Sequence, residues 1–413
     1  MTSNQHRTRF KQNESVPKNR WEGKRITNNW TGIHWLTGKP VTVTTMDGIV
    51  VSVAETETSV DHWIAPGLID VQLNGIGGFD LNGLDTTVET IRQIVNILHR
   101  GGVTRFCPTV VTGTKERMLH CIRTIVEACQ SDPLVAYAVI GIHVEGPFIA
   151  PEDGPRGAHN GAWVRDPDWD EFLEWNEAAK GRICKVTLAP ERPGAIPFIE
   201  NLRNLGIVAS IGHTAAAEED IQAAVKAGAT MSTHLGNGAH PYIKRHPNYI
   251  WAQLAEDKLW AGLIPDGFHL PMSTLKVMIR TKGKKAILTS DAVNLAGMPP
   301  GRYNTPLNDD VVLEENGFLH LASTPDILAG SATPLHIGVQ NVAMAEICSL
   351  GEAISMATLH PAELYGLDKQ GVGMIQAGSP ADFILYTHNI DNSWTILETV
   401  SNGETVYALP NKQ

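Results

Sequence analysis

The chain has 413 residues, 42% of them hydrophobic and 19% charged, with 38 glycines and 24 prolines. That composition suits a globular protein with a large buried core and excludes collagen-like, coiled-coil and disordered classes. Thirty-three basic against 44 acidic side chains leave a net charge of −11, which argues against a nucleic-acid or anionic-membrane partner, since phosphate-rich partners select basic surfaces.

The charge is uneven along the chain. Residues 1–25 hold seven basic side chains (Arg7, Arg9, Lys11, Lys18, Arg20, Lys24 and Arg25) against Glu14 and Glu22, a net +5 that leaves −16 for the remainder. This stretch has no apolar core, so it is not a secretory signal, and no later segment approaches the roughly 18 consecutive apolar residues of a membrane span. Residues 1–34 read as a flexible, solvated basic leader. From residue 35 to 64 the pattern is strand and turn: Val41-Thr-Val-Thr alternates, Asp47-Gly48 turns the chain, and Ile49-Val-Val-Ser-Val resumes. The C-terminal segment 370–413 has the same style, so the two ends are expected to build one small β-sandwich.

Between them, over residues 65–369, short apolar runs alternate with amphipathic stretches. The runs are 67–73, 103–106, 136–144, 184–189, 207–211, 230–233, 260–264 and 286–289. Helical periodicity lies between them at Val88–His99, Lys115–Cys129, Ala216–Ala227 and Pro271–Arg280. Eight nearly continuous apolar strands in βα alternation predict an α/β fold of the (β/α)8 TIM-barrel type, its strands buried on both faces. A doubly wound open sheet is the alternative, but no GxGxxG follows the first strand, and Gly75-Ile-Gly77-Gly78 reads instead as a flexible loop over the barrel mouth. The five cysteines (Cys107, Cys121, Cys129, Cys184 and Cys348) are odd in number and lack CxxC spacing, which points to reduced thiols in a cytoplasmic protein.

Barrel enzymes carry their working groups at the C-terminal ends of the strands. Here the third run ends at Glu145, the fifth at His213, the sixth at His234 and the eighth at Asp291. Two neutral imidazoles and a carboxylate suit one divalent cation, Zn2+ or Fe2+, with a coordination position left for water. Asp291 is then the candidate acid/base that collects a proton and returns it to the leaving group. His143, two residues before Glu145, lies on the same strand face. It is expected to support that site from behind.

Eight motifs occur in order: Ala65-Pro-Gly-Leu-Ile-Asp-Val-Gln-Leu-Asn-Gly75, His143-Val-Glu-Gly-Pro-Phe148, Arg156-Gly-Ala-His159, Gly212-His-Thr214, Thr233-His-Leu235, Asp266-Gly-Phe-His269, Ser290-Asp-Ala292 and Leu328-Ala-Gly-Ser331. Together they resemble the N-acetylglucosamine-6-phosphate deacetylase family of the amidohydrolase superfamily, over a span running to Gly378-Ser-Pro-Ala-Asp382. The resemblance implies a deformed TIM barrel with a small β-sandwich, usually a homodimer, hydrolysing the 2-acetamido group of a phosphosugar. It matches Glu145, His213 and His234 to the metal ligands and Asp291 to the acid/base. Ala158, His159, Asn237, Gly238, Arg245, His269, Leu328, Ala329 and Gly330 match substrate-contacting positions. Some members carry His-x-His at the end of the first strand and bind two metals. Gln72-Leu-Asn74 stands there instead, and neutral amides imply a single ion. A planar guanidinium is the natural fork for a phosphate, which singles out Arg245. Departures from the family pattern gather in Gly236-Asn-Gly-Ala-His240, where an aromatic and then Asn-Ala-Met are usual. They leave open another amidohydrolase activity, on a cyclic amide or an N-acyl amino acid. A catalytically silent binding module is the third possibility, and the intact Glu145/His213/His234/Asp291 set speaks against it.

Overall fold

A computed structural model describes residues 26–304, 310–325, 328–389 and 393–410. Residues 1–25, the bulk of the basic leader, lie outside the described residues. The leader is shorter than the sequence reading allowed, because Thr27–His34 is a strand. It pairs antiparallel with Pro40–Met46 and parallel with Trp63–Pro66. The charge run that defined the leader ends at Arg25, and from Ile26 onward the apolar Trp30 packs edge-on against Phe383, ring centroids 5.0 Å apart.

Both termini contribute to the small domain, as one seven-stranded sheet. From edge to edge it runs Glu404–Ala408, Trp394–Ser401, Phe383–His388, Trp63–Pro66, Thr27–His34, Pro40–Met46 and Ile49–Glu55. Register shifts at Thr44/Thr45, Leu385/Tyr386 and Thr399/Val400 bend it. The sheet curls until Val50 N–H donates to the Ser379 carbonyl, closing over a core of Val41, Val43, Val50, Ile64, Phe383 and Val400.

The middle of the chain forms an eight-stranded parallel barrel. Its strands, in sequence and spatial order, are Leu68–Leu73, Val103–Val111, Ile142–Glu145, Ile183–Leu188, Val208–Ile211, Met231–Ser232, Trp260–Leu263 and Ala286–Leu288. The ring closes where Leu73 bridges Ala292 in parallel and Asn74 N–H donates to the Ala292 carbonyl at 2.8 Å. Helices wrap it, and Val88–Arg100 shows why: Thr87 caps its N-terminus, and Ile91, Ile94, Val95 and Leu98 form one buried stripe.

Three segments depart from the sequence reading. Residues 136–138 of the third apolar run belong to a helix, Pro133–Ala138, because Asp132 caps it and Pro133 occupies its first turn, leaving only Ile142–Glu145 as strand. The Gly75–Gly78 segment is not a loose loop. Gly75–Ile76 pairs with Phe79–Asp80 as a hairpin, and Gly77 and Gly78 donate to Ala296 and Asn294. After the eighth strand comes an unforeseen antiparallel sheet of Gly301–Tyr303, Val311–Leu313 and Leu319–Leu321, whose three-residue strands are too short to show a period.

Candidate active site and metal centre

Four barrel strands deliver Glu145, His213, His234 and Asp291 to one bowl. Glu145 ends the third strand, and both histidines stand just past the fifth and sixth. His213, His234 and Asp291 all take positive φ, at 50°, 29° and 48°, which is unusual for residues other than glycine and costs each about 1–3 kcal/mol. Such turns swing a side chain from the strand end across the mouth of the barrel.

The ligand atoms of Glu145, His213 and His234 all lie within 4.8 Å of one another. His234 Nε2 stands 3.0 Å from Glu145 Oε1 and 3.0 Å from His213 Nε2, and His213 Nε2 stands 3.4 Å from Glu145 Oε1. His213 Nδ1 donates to the Pro155 carbonyl at 2.9 Å, leaving the Nε2 lone pair to point at the cluster. Two imidazole nitrogens and a carboxylate oxygen converging in a buried space is a donor set that fits a divalent cation. Burial pushes the Glu145 carboxyl up, but the imidazoles of His213 and His234 beside it outweigh burial and hold the group well below the usual carboxylate range.

Asp291 joins the cluster through amides. Gln72 Nε2 donates to Glu145 Oε1 at 2.8 Å and to Asp291 Oδ1 at 3.0 Å, while Asn74 Nδ2 donates to Asp291 Oδ1 at 2.8 Å. Burial and the neighbouring charge of Glu145 push the Asp291 carboxyl up to about 6. Gln72 and Asn74 therefore act as donors aiming two carboxylates.

His159 also reaches the cluster, with Nε2 3.1 Å from His213 Nε2 and Nδ1 2.7 Å from Thr112 Oγ1. Burial and a nearby His213 push it down to about 3, so it stays neutral. His143 lies below, with Nδ1 3.1 Å from Thr109 Oγ1 and Nε2 2.7 Å from Thr187 Oγ1. A chain of hydroxyls continues from there, Thr187 to Thr233 at 2.7 Å and Thr233 to Ser210 at 2.6 Å. With both ring nitrogens engaged by threonines, His143 builds the floor of the site.

Gly238 packs directly on His213. A Cβ there would sit 2.6 Å from His213 Nδ1, and its φ of +56° suits glycine. Asn237 N–H donates to the His234 carbonyl, and its side-chain Nδ2 is buried without a partner. Leu328, Ala329 and Gly330 follow the extra sheet, and Ser331 pairs with Ala292 and accepts from Val293 N–H at 3.0 Å, seating the segment beside Asp291. His269 Nδ1 bonds Asp266 Oδ2 at 2.6 Å, which fixes its ring. Ala158 and Arg245 are exposed; Arg245 sits in the loop that carries the exposed Tyr242 and Ile243, its carbonyl accepting from Asn248. The sequence reading missed the supporting groups: Thr112, Pro155 and Asp266. Only Asp266 carried a signal, three residues before His269 in a recognised motif.

A model of the amidohydrolase family matches residues 63–406. The chain belongs to that family. Its relatives include N-acetylglucosamine-6-phosphate deacetylase of Bos taurus, 34% identical over 353 residues that cover 83% of each chain. N-acetylgalactosamine-6-phosphate deacetylase of Escherichia coli O157:H7 is 30% identical over 356 residues, 86% of this chain and 91% of that one. The structure also superposes on the N-acetyl-D-glucosamine-6-phosphate deacetylase of Mycobacterium smegmatis, solved as a mutant in complex with N-acetyl-D-glucosamine-6-phosphate. There the TM-score is 0.80, the identity 28%, and the coverage 93% of this chain and all of the other. The resemblance read from the eight motifs is borne out, as is the barrel with a small β-domain.

Proposed function

We propose that this protein hydrolyses the N-acetyl group of N-acetylglucosamine 6-phosphate, or a close N-acetylhexosamine phosphate, to acetate and the amino sugar phosphate. The observation that carries the reading is the convergence of Glu145, His213 and His234 beside Asp291, in a chain 34% identical to such a deacetylase. Glu145, His213 and His234 would hold one divalent cation, Zn2+ or Fe2+, which when bound supplies activation of water and polarisation of the acetamide carbonyl. Neutral Gln72 and Asn74, both turned to carboxylates as donors, stand where a second cation would need imidazoles, so the site is mononuclear.

Asp291 moves the proton. Gln72 and Asn74 occupy Oδ1, so Oδ2 takes the proton from the attacking water and returns it to the departing amine. His159 stays neutral beside His213 and presents a hydrogen bond to the sugar. His269, fixed by Asp266, and Arg245 receive the phosphate. Because Arg245 is exposed on its own subunit, it serves a second copy of the chain in a homodimer. Five free cysteines suit the reducing cytoplasm, and no described helix is long and apolar enough to cross a membrane.

Acetate release from N-acetylglucosamine 6-phosphate by cation-loaded protein tests the reading, with Asp291→Asn expected to lose at least a hundredfold in kcat. A variant that keeps most of the rate removes Asp291 from the mechanism. The altered Gly236–His240 loop and the relative named as an N-acetylgalactosamine-6-phosphate deacetylase favour a panel that includes N-acetylgalactosamine 6-phosphate and both unphosphorylated sugars.

A further inference from the structure

The seam where the barrel closes is short of backbone pairing. The eighth strand has three residues, Ala286–Leu288, and it meets the first strand beyond its own end, through the single bridge Leu73–Ala292. Side chains reinforce it: the Thr289 and Ser290 hydroxyls reach the Gln72 carbonyl at 3.4 and 3.3 Å, and a carboxylate gathers both. Asp70, on the first strand and fully buried, accepts from Ser290 Oγ at 2.5 Å, Thr289 Oγ1 at 2.8 Å, Ser290 N–H at 3.2 Å and Gln72 N–H at 3.4 Å. Its carboxylate thus ties Thr289-Ser290, immediately before Asp291, to the strand that carries Gln72 and Asn74. Asp291 N–H in turn donates to the Gln72 carbonyl at 3.0 Å, and Ala292 N–H donates to Ser290 Oγ at 3.1 Å.

We propose that Asp70 is a positioning residue for the reaction, holding Asp291 in its left-handed turn and in register with the two amides that aim it. Two features make the tie consequential. Asp291 has φ +48°, a conformation that reverts to the ordinary basin unless its surroundings impose it. Asp70 and Ser290 also border a cavity of about 420 Å³ between the Ile97–Gly101 and Pro334–His336 segments, so hydrogen bonds rather than close packing hold this side of the seam. The bonds from Ser290 and Thr289 are accepted by a side chain with no exposed surface, and hydrogen bonds to a carboxylate are stronger than those between neutral groups.

The inference rests on the deacetylase reading for its kinetic test and on geometry alone for its structural one. Asp70→Asn keeps the shape and removes the charge. Its kcat for acetate release is expected to fall ten- to a hundredfold, with KM and bound cation within twofold of the parent, because misplacing a reacting group by an ångström is enough. Ser290→Ala, which keeps the buried carboxylate, should show the same pattern and carries the test should Asp70→Asn misfold. On an Asp291→Asn background, Asp70→Asn should cost less than twofold more, since it acts through Asp291; a full repeat of its loss there overturns the proposal. A crystal structure of either variant should show Asp291 Oδ1 out of reach of Gln72 and Asn74, and an unmoved Asp291 overturns it whatever the substrate. A parent enzyme that releases no acetate refutes the deacetylase reading instead.

Discussion

Gly238→Ala tests how tightly the cation site is moulded. The new Cβ would lie 2.6 Å from His213 Nδ1, 3.0 Å from Cε1 and 3.2 Å from Cγ, against ordinary carbon contacts of about 3.5–4.0 Å. The ring must retreat by roughly 1 Å, and coordination tolerates only about 0.2 Å. The left-handed φ of +56° adds about 1–2 kcal/mol of backbone strain. Gly181→Ala is the control: its φ is +71° with nothing within 4 Å of the added methyl, so it carries the strain without the collision. Chelator competition should show Gly238→Ala binding its cation at least tenfold more weakly, while Gly181→Ala matches the parent. Both should lose only a few degrees of thermal stability, because about 2 kcal/mol is small against the unfolding entropy of a chain this long. Equal cation affinity for the two variants would refute the argument, because the collision with His213 is what separates them.

Two further expectations concern stability. Asp382 joins the small sheet to the barrel, accepting from Arg105 Nε at 3.0 Å, Tyr137 OH at 2.8 Å and Asn402 N–H at 2.8 Å. Asp382→Ala strands a buried guanidinium and should cost about 3–5 kcal/mol in urea unfolding, and pairing it with Arg105→Met should recover most of that; a single variant within 1 kcal/mol of the parent would contradict the buried-pair assignment. His99 is buried with neither ring nitrogen partnered, and burial pushes it down to about 4. The unfolded chain takes up its proton near pH 6.5 while the folded chain resists until about 4. Stability should therefore fall as pH drops through that window, by up to about 3 kcal/mol, and be indifferent to His99 above it. His99→Leu should flatten the melting-temperature profile between pH 4 and 6.5, and an unaltered slope would count against the assignment.

Much of this was legible because strand ends in a barrel converge whatever the loops do. The apolar runs identified eight strands within a few residues, and reading the polar residue at each run's end picked out Glu145, His213, His234 and Asp291 without knowledge of which strands are neighbours. Where local signals compete, the reading slipped. Residues 136–138 are apolar enough for a strand, but the Asp132–Pro133 cap made them helical. Thr27–His34 was masked by the neighbouring charge run, although its pairing with Trp63–Pro66 decides its state.

Linear order alone therefore determined the barrel, the kind of site and the residue types able to hold a cation, because burial periodicity and strand-end position are properties of a single segment. Tertiary structure decided what no single segment carries. It turned Gln72 and Asn74 into donors to carboxylates 73 and 217 residues away, committed both nitrogens of His143 to threonines, and set Arg245 on the surface. Those outcomes depend on which side chains lie across a gap of about 3 Å, and such proximities arise only after the barrel has closed.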